Sequence, residues 1–194
     1  MVILTKSAIH LVLLIMSGSV GCWAATATGN PDFPVVIRLL SSSQVSAPDL
    51  RGAKEVVSAI LASASVYVRW QGGDTIQPAV ESIDIRFVHS KLLSTTPRSV
   101  AEASGDRITV FLDRVSDYAN QNPLFMPRIL GHVLAHEIGH VLQGTGRHSR
   151  TGVMKAHWDE DDYITMRSKN VEFTREDAVA IASHLAWIRA PATE

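Results

Sequence analysis

The sequence has little cysteine and no excess of either charge. Cys22 is the single cysteine among 194 residues, so a disulfide within the chain is excluded and stability must come from packing or a bound metal. Lys and Arg number 18 and Asp and Glu number 19, which leaves no positive field for nucleic acid or an anionic membrane surface. The 12 Gly and 8 Pro are ordinary numbers that exclude collagen-like and low-complexity chains. The composition indicates a globular protein without a nucleic-acid partner.

The chain also lacks a hydrophobic run long enough to span a bilayer comfortably. The run at residues 8–20 is short, follows Lys6 and precedes small residues, which is the pattern of a signal peptide. We expect residues 1–27 to be this signal, with cleavage near residues 21–27. Residues 28–194 then form a single exported domain, secreted or periplasmic. Residues 19–22 also resemble a bacterial lipobox, so lipidation of Cys22 is the alternative, and it would be the protein's one link to a membrane.

Hydrophobic periodicity predicts both strands and helices in residues 28–194. Runs with β-branched residues or period-two alternation predict strands at residues 33–40, 66–70, 83–88 and 107–113. Apolar residues at three- and four-residue spacing predict helices at residues 47–64, 125–143 and 174–188. Thr174 is the expected N-cap of the last helix, and Gly144 is expected to end the one before it.

The segment from His136 to His140 has the H-E-x-x-H pattern and lies within a predicted helix. Residues four apart on a helix lie about 6 Å apart along its axis and about 40° apart around it, so both imidazoles can bind one tetrahedral Zn²⁺. Glu137 lies between them, where its carboxylate can take a proton from water activated by the metal. The alternative interpretation is a solvated helix face that happens to carry two His. The helical context favours the metal site.

A catalytic zinc site needs a third protein ligand as well as an open position for water. His148 is the candidate, because Gly144 and Gly146 allow the chain to turn back toward the metal after His140. His132 is the rival, but along a helix it lies about 12 Å from His140, too far for both nitrogens to reach one ion. We interpret His132 as a packing residue or as one that supports the ligands.

These motifs resemble those of the metzincin zinc metallopeptidases, and among them the matrixin-like branch, where Ser commonly follows the third His. The resemblance rests on H-E-I-G-H, on the Gly-containing turn, on His148-Ser149 and on residues 152–154. It assigns Met154 to the Met-turn, whose thioether lies below the metal without binding it. The spacing differs, because the usual metzincin pattern has two residues fewer between the second and third His.

The resemblance implies an α+β fold and a peptidase function. The expected fold is a compact metzincin-like catalytic domain, with a small twisted mixed sheet packed on an N-terminal helix and on the H-E-x-x-H helix, and a C-terminal helix after the Met-turn. Residues 107–113 would be the sheet edge beside the cleft, where an extended peptide pairs through its backbone; the alternative is an interior strand with no role in substrate binding. The implied protein is a zinc-dependent metalloendopeptidase that hydrolyses peptide or protein substrates, and we expect a monomer.

The residues leave other interpretations of the metal site open. Glu172 or Glu176 could replace His148 as the third ligand, as in another subclass of zinc peptidase. An exported or lipid-anchored domain could also hold zinc without turnover, although such a site has no need of Glu137. A purely structural zinc is disfavoured, since structural sites are usually closed and rich in cysteine.

Several polar and aromatic residues after the motif have a functional and a simpler interpretation. Tyr163, His157 and the acids at residues 159–162 could supply an oxyanion donor or a further ligand, but an acidic run is most often a solvated loop. Trp70 and Trp158 are expected to pack against the core.

Overall fold

The structure is a computed structural model that describes residues 34–40, 42–72, 82–89, 99–119, 122 and 124–190. The strands are β1 (Val35–Leu39), β2 (Val68–Gly72), β3 (Ser82–Val88), β4 (Ala101–Ser104) and β5 (Arg107–Phe111). The helices are α1 (Ala47–Ser63), α2 (Leu112–Tyr118), α3 (Met126–Gln143), α4 (Glu160–Ser168) and α5 (Arg175–Arg189). The predicted signal peptide and Cys22 lie outside the described residues. None of the described helices combines the length and the hydrophobicity needed to span a bilayer.

The described strands form one mixed sheet with the order β2-β1-β3-β5-β4. The first four strands of this order are parallel, and β4 runs antiparallel to β5. Helix α1 provides the crossover that two parallel neighbours such as β1 and β2 require. Strands β4 and β5 are joined instead by a tight turn at Gly105, whose φ of 60° suits glycine. Strand β4 is consequently one edge of the sheet.

One face of the sheet carries the core and the other is partly open. Ile37, Ile83 and Ile85 are fully buried on the core face. On the opposite face Arg38 Nε donates to Asp84 Oδ1 at 2.6 Å. This one-sided burial explains why β3 alternates apolar and polar residues although its neighbours are parallel.

Helix α3 occupies the centre of the domain, in contact with α1, α2, α4, α5 and β4. Proline in its first turn needs no backbone hydrogen bond, and Gly144 ends the helix in the left-handed conformation. Twelve of its residues are buried, so the helix is held on most of its circumference. It is a rigid support for the side chains of the H-E-x-x-H motif.

The α+β fold expected from the sequence is confirmed, with two local corrections. The prediction that residues 107–113 form the sheet edge is wrong, because β5 ends at Phe111 and pairs with strands on both sides. The edge is β4, a short strand without β-branched residues that forms through its hairpin with β5. The acidic run at residues 159–162 is likewise no loop, since it begins α4 with Asp159 and Asp162 as a capping box.

Candidate metal centre and cleft

Helix α3 and the loop that follows it bring three imidazoles together. His136 and His140 lie one turn apart on α3, and His148 returns to them from the loop after Gly144. The Nε2 atom of His140 lies 3.1 Å from Nε2 of His136 and 3.2 Å from Nε2 of His148. Two nitrogens bound to one tetrahedral zinc ion lie about 3.3 Å apart. The three side chains therefore have the spacing of a metal-binding group.

The hydrogen bonds of the ring Nδ1 atoms show that the contact between His136 and His140 is not an ordinary hydrogen bond. His136 Nδ1 lies 2.8 Å from the carbonyl of Val153, and His140 Nδ1 lies 3.2 Å from the carbonyl of Thr145. A carbonyl only accepts, so each Nδ1 carries the proton and each neutral ring has a lone pair on Nε2. These lone pairs face one another and would repel. A cation between them resolves the conflict, so the residues fit a bound metal.

Burial keeps the rings of His136 and His140 neutral, as metal ligands must be. It lowers the pKa of His136 to about 4, although the Val153 carbonyl opposes this shift. It also lowers the pKa of His140. His148 is exposed and belongs to the flank of the site that is open to solvent. Two of the three donors are thus unprotonated near neutral pH before any metal binds.

Glu137 is buried beside the histidines and faces the sheet edge. The side chain is 8% exposed, and the backbone N–H of Ala103 in β4 donates to its carboxylate. The pKa of Glu137 is raised to about 7, chiefly by burial and also by the nearby charge of Glu102, while the Ala103 hydrogen bond acts in the opposite direction. A carboxyl group with a pKa near 7 can both accept and release a proton near neutral pH.

The loop at residues 149–155 contacts His136 and Gly139 of α3 and includes Met154. This methionine is fully buried and packs against α3 at Gly139. The loop closes on itself through the Ser149 N–H, which donates to the Met154 carbonyl at 2.9 Å, and Val153 supplies the carbonyl that orients His136. The residue expected at the Met-turn is therefore next to the site.

The histidines and Glu137 lie in a cleft of about 980 Å³. Its wall includes the β4 edge and a chain of aromatic side chains, in which Trp158 contacts His136 edge-on and Tyr163 contacts both Trp158 and Tyr118. Trp158 packs against the core, as predicted, and Tyr163 and His157 both line the cleft. Burial raises the pKa of Tyr163, so its hydroxyl keeps its proton and can donate.

Other candidate residues are accounted for without a metal. His132 is fully buried, its Nδ1–H donates to the Arg128 carbonyl at 2.7 Å, and its Nε2 accepts from the Val171 N–H at 3.0 Å. Both of its nitrogens are thereby engaged. Glu172 and Glu176 are exposed and are not part of the histidine group. Trp70 lies half-buried with its indole N–H donating to Ser58 Oγ.

Sequence reasoning missed two contributors, the β4 edge and Asp177. Asp177 is 1% exposed in the first turn of α5 and accepts a hydrogen bond from Ser149, the residue after His148. The spacing of Thr174 and Asp177 is a capping-box pattern, which could have identified the residue but not its contact with the loop.

The fold is similar to that of an archaemetzincin. The crystal structure of archaemetzincin from Methanopyrus kandleri superposes with a TM-score of 0.51, over 79% of this chain and 95% of that chain, with 14% sequence identity. No family model matches the sequence, and no curated protein is similar to it in sequence. At 14% identity the likeness concerns the fold, so the chemistry must be argued from the residues of this chain.

Proposed function

We propose that this protein is a zinc-dependent metallopeptidase of the metzincin type. The observation that carries the proposal is the convergence of three histidine nitrogens beside buried Glu137 in an open cleft. A donor set of three imidazoles suits Zn²⁺ and leaves a position for water, as catalytic zinc sites do. Zn²⁺ at this site would polarise the carbonyl of the scissile peptide bond and activate a water molecule. The likeness in fold to an archaemetzincin supports the same assignment.

Glu137 is the general base in this proposal. Its carboxylate, held by the Ala103 N–H and with a pKa near 7, accepts a proton from the attacking water and passes it to the leaving amine. Its burial excludes bulk water from one side of the carboxylate and so raises its proton affinity. A carboxyl group with this raised affinity can accept the proton from water and then donate it to the leaving amine.

The β4 edge is the surface on which we place an extended peptide substrate. In the hairpin, Ser104 pairs with Arg107 next to the turn, and Val100 accepts from the Phe111 N–H. Hydrogen-bonded pairs alternate along an antiparallel ladder, so the backbone groups of Ala101 and Ala103 point away from β5. Both residues line the cleft. The Ala103 N–H already donates to Glu137, so a peptide would add to this edge as a further strand through the Ala101 N–H and the carbonyls of Ala101 and Ala103, and it would pass the histidines.

The finer features belong to the same proposal. His148 followed by Ser149, with buried Met154 packed against Gly139 of the motif, supports a matrixin-like arrangement with a longer connection from the second to the third ligand. The hydrophobic run at residues 8–20 supports export to the periplasm or the exterior, with lipidation of Cys22 as the alternative route to a membrane surface. We propose that the exported protein acts as a monomer on peptides or proteins.

Metal content and cleavage together test the function. The purified protein, dialysed after incubation with Zn²⁺, is analysed for metal beside His148→Ala and His157→Ala. His157 is a matched control because it is an exposed histidine of the same cleft. We expect about one zinc per chain in the wild type and in His157→Ala, and far less in His148→Ala.

A peptide library then measures hydrolysis, with Glu137→Gln as the blank. We expect this variant to keep zinc and to lose cleavage, because the amide cannot accept the proton. Zinc binding without any cleavage by the wild type would favour the metal-holding domain without turnover. Absence of zinc from the wild type would refute the metal site itself.

A further inference from the structure

The third histidine lies on an exposed loop, and burial does not hold it. His148 follows the irregular stretch at residues 145–147 and is exposed to solvent. Its connection to His140 is also longer than the usual metzincin spacing, which increases the number of conformations open to it. Something other than packing must keep the ring within reach of the other two.

The residue next to it is anchored at two points. The Ser149 N–H donates to the Met154 carbonyl at 2.9 Å, and Ser149 Oγ donates to Asp177 Oδ1 at 2.5 Å. The first bond joins two residues of the loop at residues 149–155 and does not attach that loop to the rest of the protein. The second bond attaches Ser149, the residue next to His148, to α5, which packs in the folded core.

Asp177 does more than cap its own helix. Its Oδ2 accepts from the N–H and from Oγ1 of Thr174, at 3.1 and 2.8 Å, which completes the capping box of α5. Its Oδ1 is left for other partners and faces Ser149 Oγ and, at 3.5 Å, Nε2 of Gln143. Gln143 is the last residue of α3 and Ser149 directly follows His148, so one buried oxygen binds Ser149 and also lies near the start of the connection from α3 to His148.

The geometry points to Asp177 as a positioning residue for the metal site, an inference that rests on the proposed zinc-binding function. By holding Ser149, Asp177 confines His148 to the place where its Nε2 meets that of His140. The loop is thereby ordered before metal binds, so less conformational entropy is lost on binding. The contact also explains how the longer connection is compatible with a three-histidine site.

Zn²⁺ affinity of the full chain tests this inference, measured by competition with a chromophoric chelator. Ser149→Ala removes the Oγ contact and leaves all three histidines, and we expect affinity to fall about 10- to 100-fold, as for other partners that orient ligands. Ser149→Thr keeps a hydroxyl and should restore much of the affinity. Asp177→Asn should also weaken binding, and if it fails to fold, the Ser149 pair carries the test.

Thr174→Val is the matched control for stability. It removes the contact of the Thr174 hydroxyl with Asp177 Oδ2 and weakens the α5 cap, so it should lower the unfolding temperature, yet leave Zn²⁺ affinity unchanged. Wild-type affinity in Ser149→Ala, or an equal loss of affinity in Thr174→Val, would overturn the inference while the proposed function stands. A wild-type protein that binds no Zn²⁺ would overturn both.

Discussion

Met154 packs so closely against Gly139 that a Cβ atom at residue 139 would lie 2.5 Å from the Met154 Sδ. The same Cβ would lie 2.8 Å from Cε1 of Phe173, so a side chain at residue 139 would clash with two neighbours at once. Gly139 directly precedes His140, the second histidine of the H-E-x-x-H motif. Its lack of a side chain is what allows the loop at residues 149–155 to pack directly against α3 next to the histidines that the helix carries.

Gly139→Ala should therefore destabilise the fold. We expect a loss of about 1–3 kcal/mol in the free energy of unfolding, because overpacking outweighs the better helix propensity of alanine. Urea unfolding measures the change. Gly146→Ala is the control, since nothing lies within 4 Å of a Cβ at that position. Equal stability of the two variants would contradict the close contact.

His132 should make stability depend on pH. Burial lowers its pKa to about 4 from 6.5, so between these values the unfolded chain binds more protons than the folded chain. Stability that is present above pH 6.5 is lost as the pH falls toward 4, by at most about 3 kcal/mol. The measurement is the free energy of unfolding of wild type and His132→Gln, with chelator present. The advantage of the wild type should shrink on acidification; parallel curves would contradict the assignment.

Gly144 and His184 should be energetically coupled. Gly144 has φ of 63°, and a Cβ there would lie 2.5 Å from His184 Nε2. Gly144→Ala should cost about 1–2 kcal/mol for the left-handed backbone in any background, plus the clash with the ring. In a His184→Ala background we expect the cost to fall by about 1 kcal/mol. A double-mutant cycle by chemical denaturation measures the coupling, and strict additivity would exclude it.

Zinc should stabilise the folded state, because the three-histidine group exists only when the chain is folded. At a free Zn²⁺ concentration 100 times the Kd, the expected gain is about 2.7 kcal/mol, seen as a higher Tm that a chelator reverses. His148→Ala should lose most of this gain and His157→Ala should keep it. A rise in Tm of equal size in both variants would point to zinc bound elsewhere.

The local elements were largely predictable because their signals are local. The helix at residues 125–143 was expected from its spacing and its glycine stop, and it is observed as Met126–Gln143. Thr174 was expected to cap the last helix and does so. Helix α4 was missed because its apolar periodicity is weak and its capping box resembles an ordinary acidic loop.

The sheet edge could not be predicted, because pairing is a property of neighbours. Residues 107–113 have a stronger strand pattern than Ala101–Ser104, yet the weaker segment lies on the outside and faces Glu137. The turn at Gly105 brings the two strands together, and the parallel pairing of β5 with β3 leaves only β4 exposed at that end.

The sequence by itself determined the helix that carries His136, Glu137 and His140, since a four-residue spacing on a helix places two imidazoles on one side whatever surrounds it. The tertiary structure decided the rest of the site. His148 meets the pair where buried Asp177, on a helix distant in sequence, holds the next residue, Ser149. Residue spacing along a helix determines local geometry. The position of a loop depends instead on which partner the folded core places beside it, here the carboxylate of Asp177.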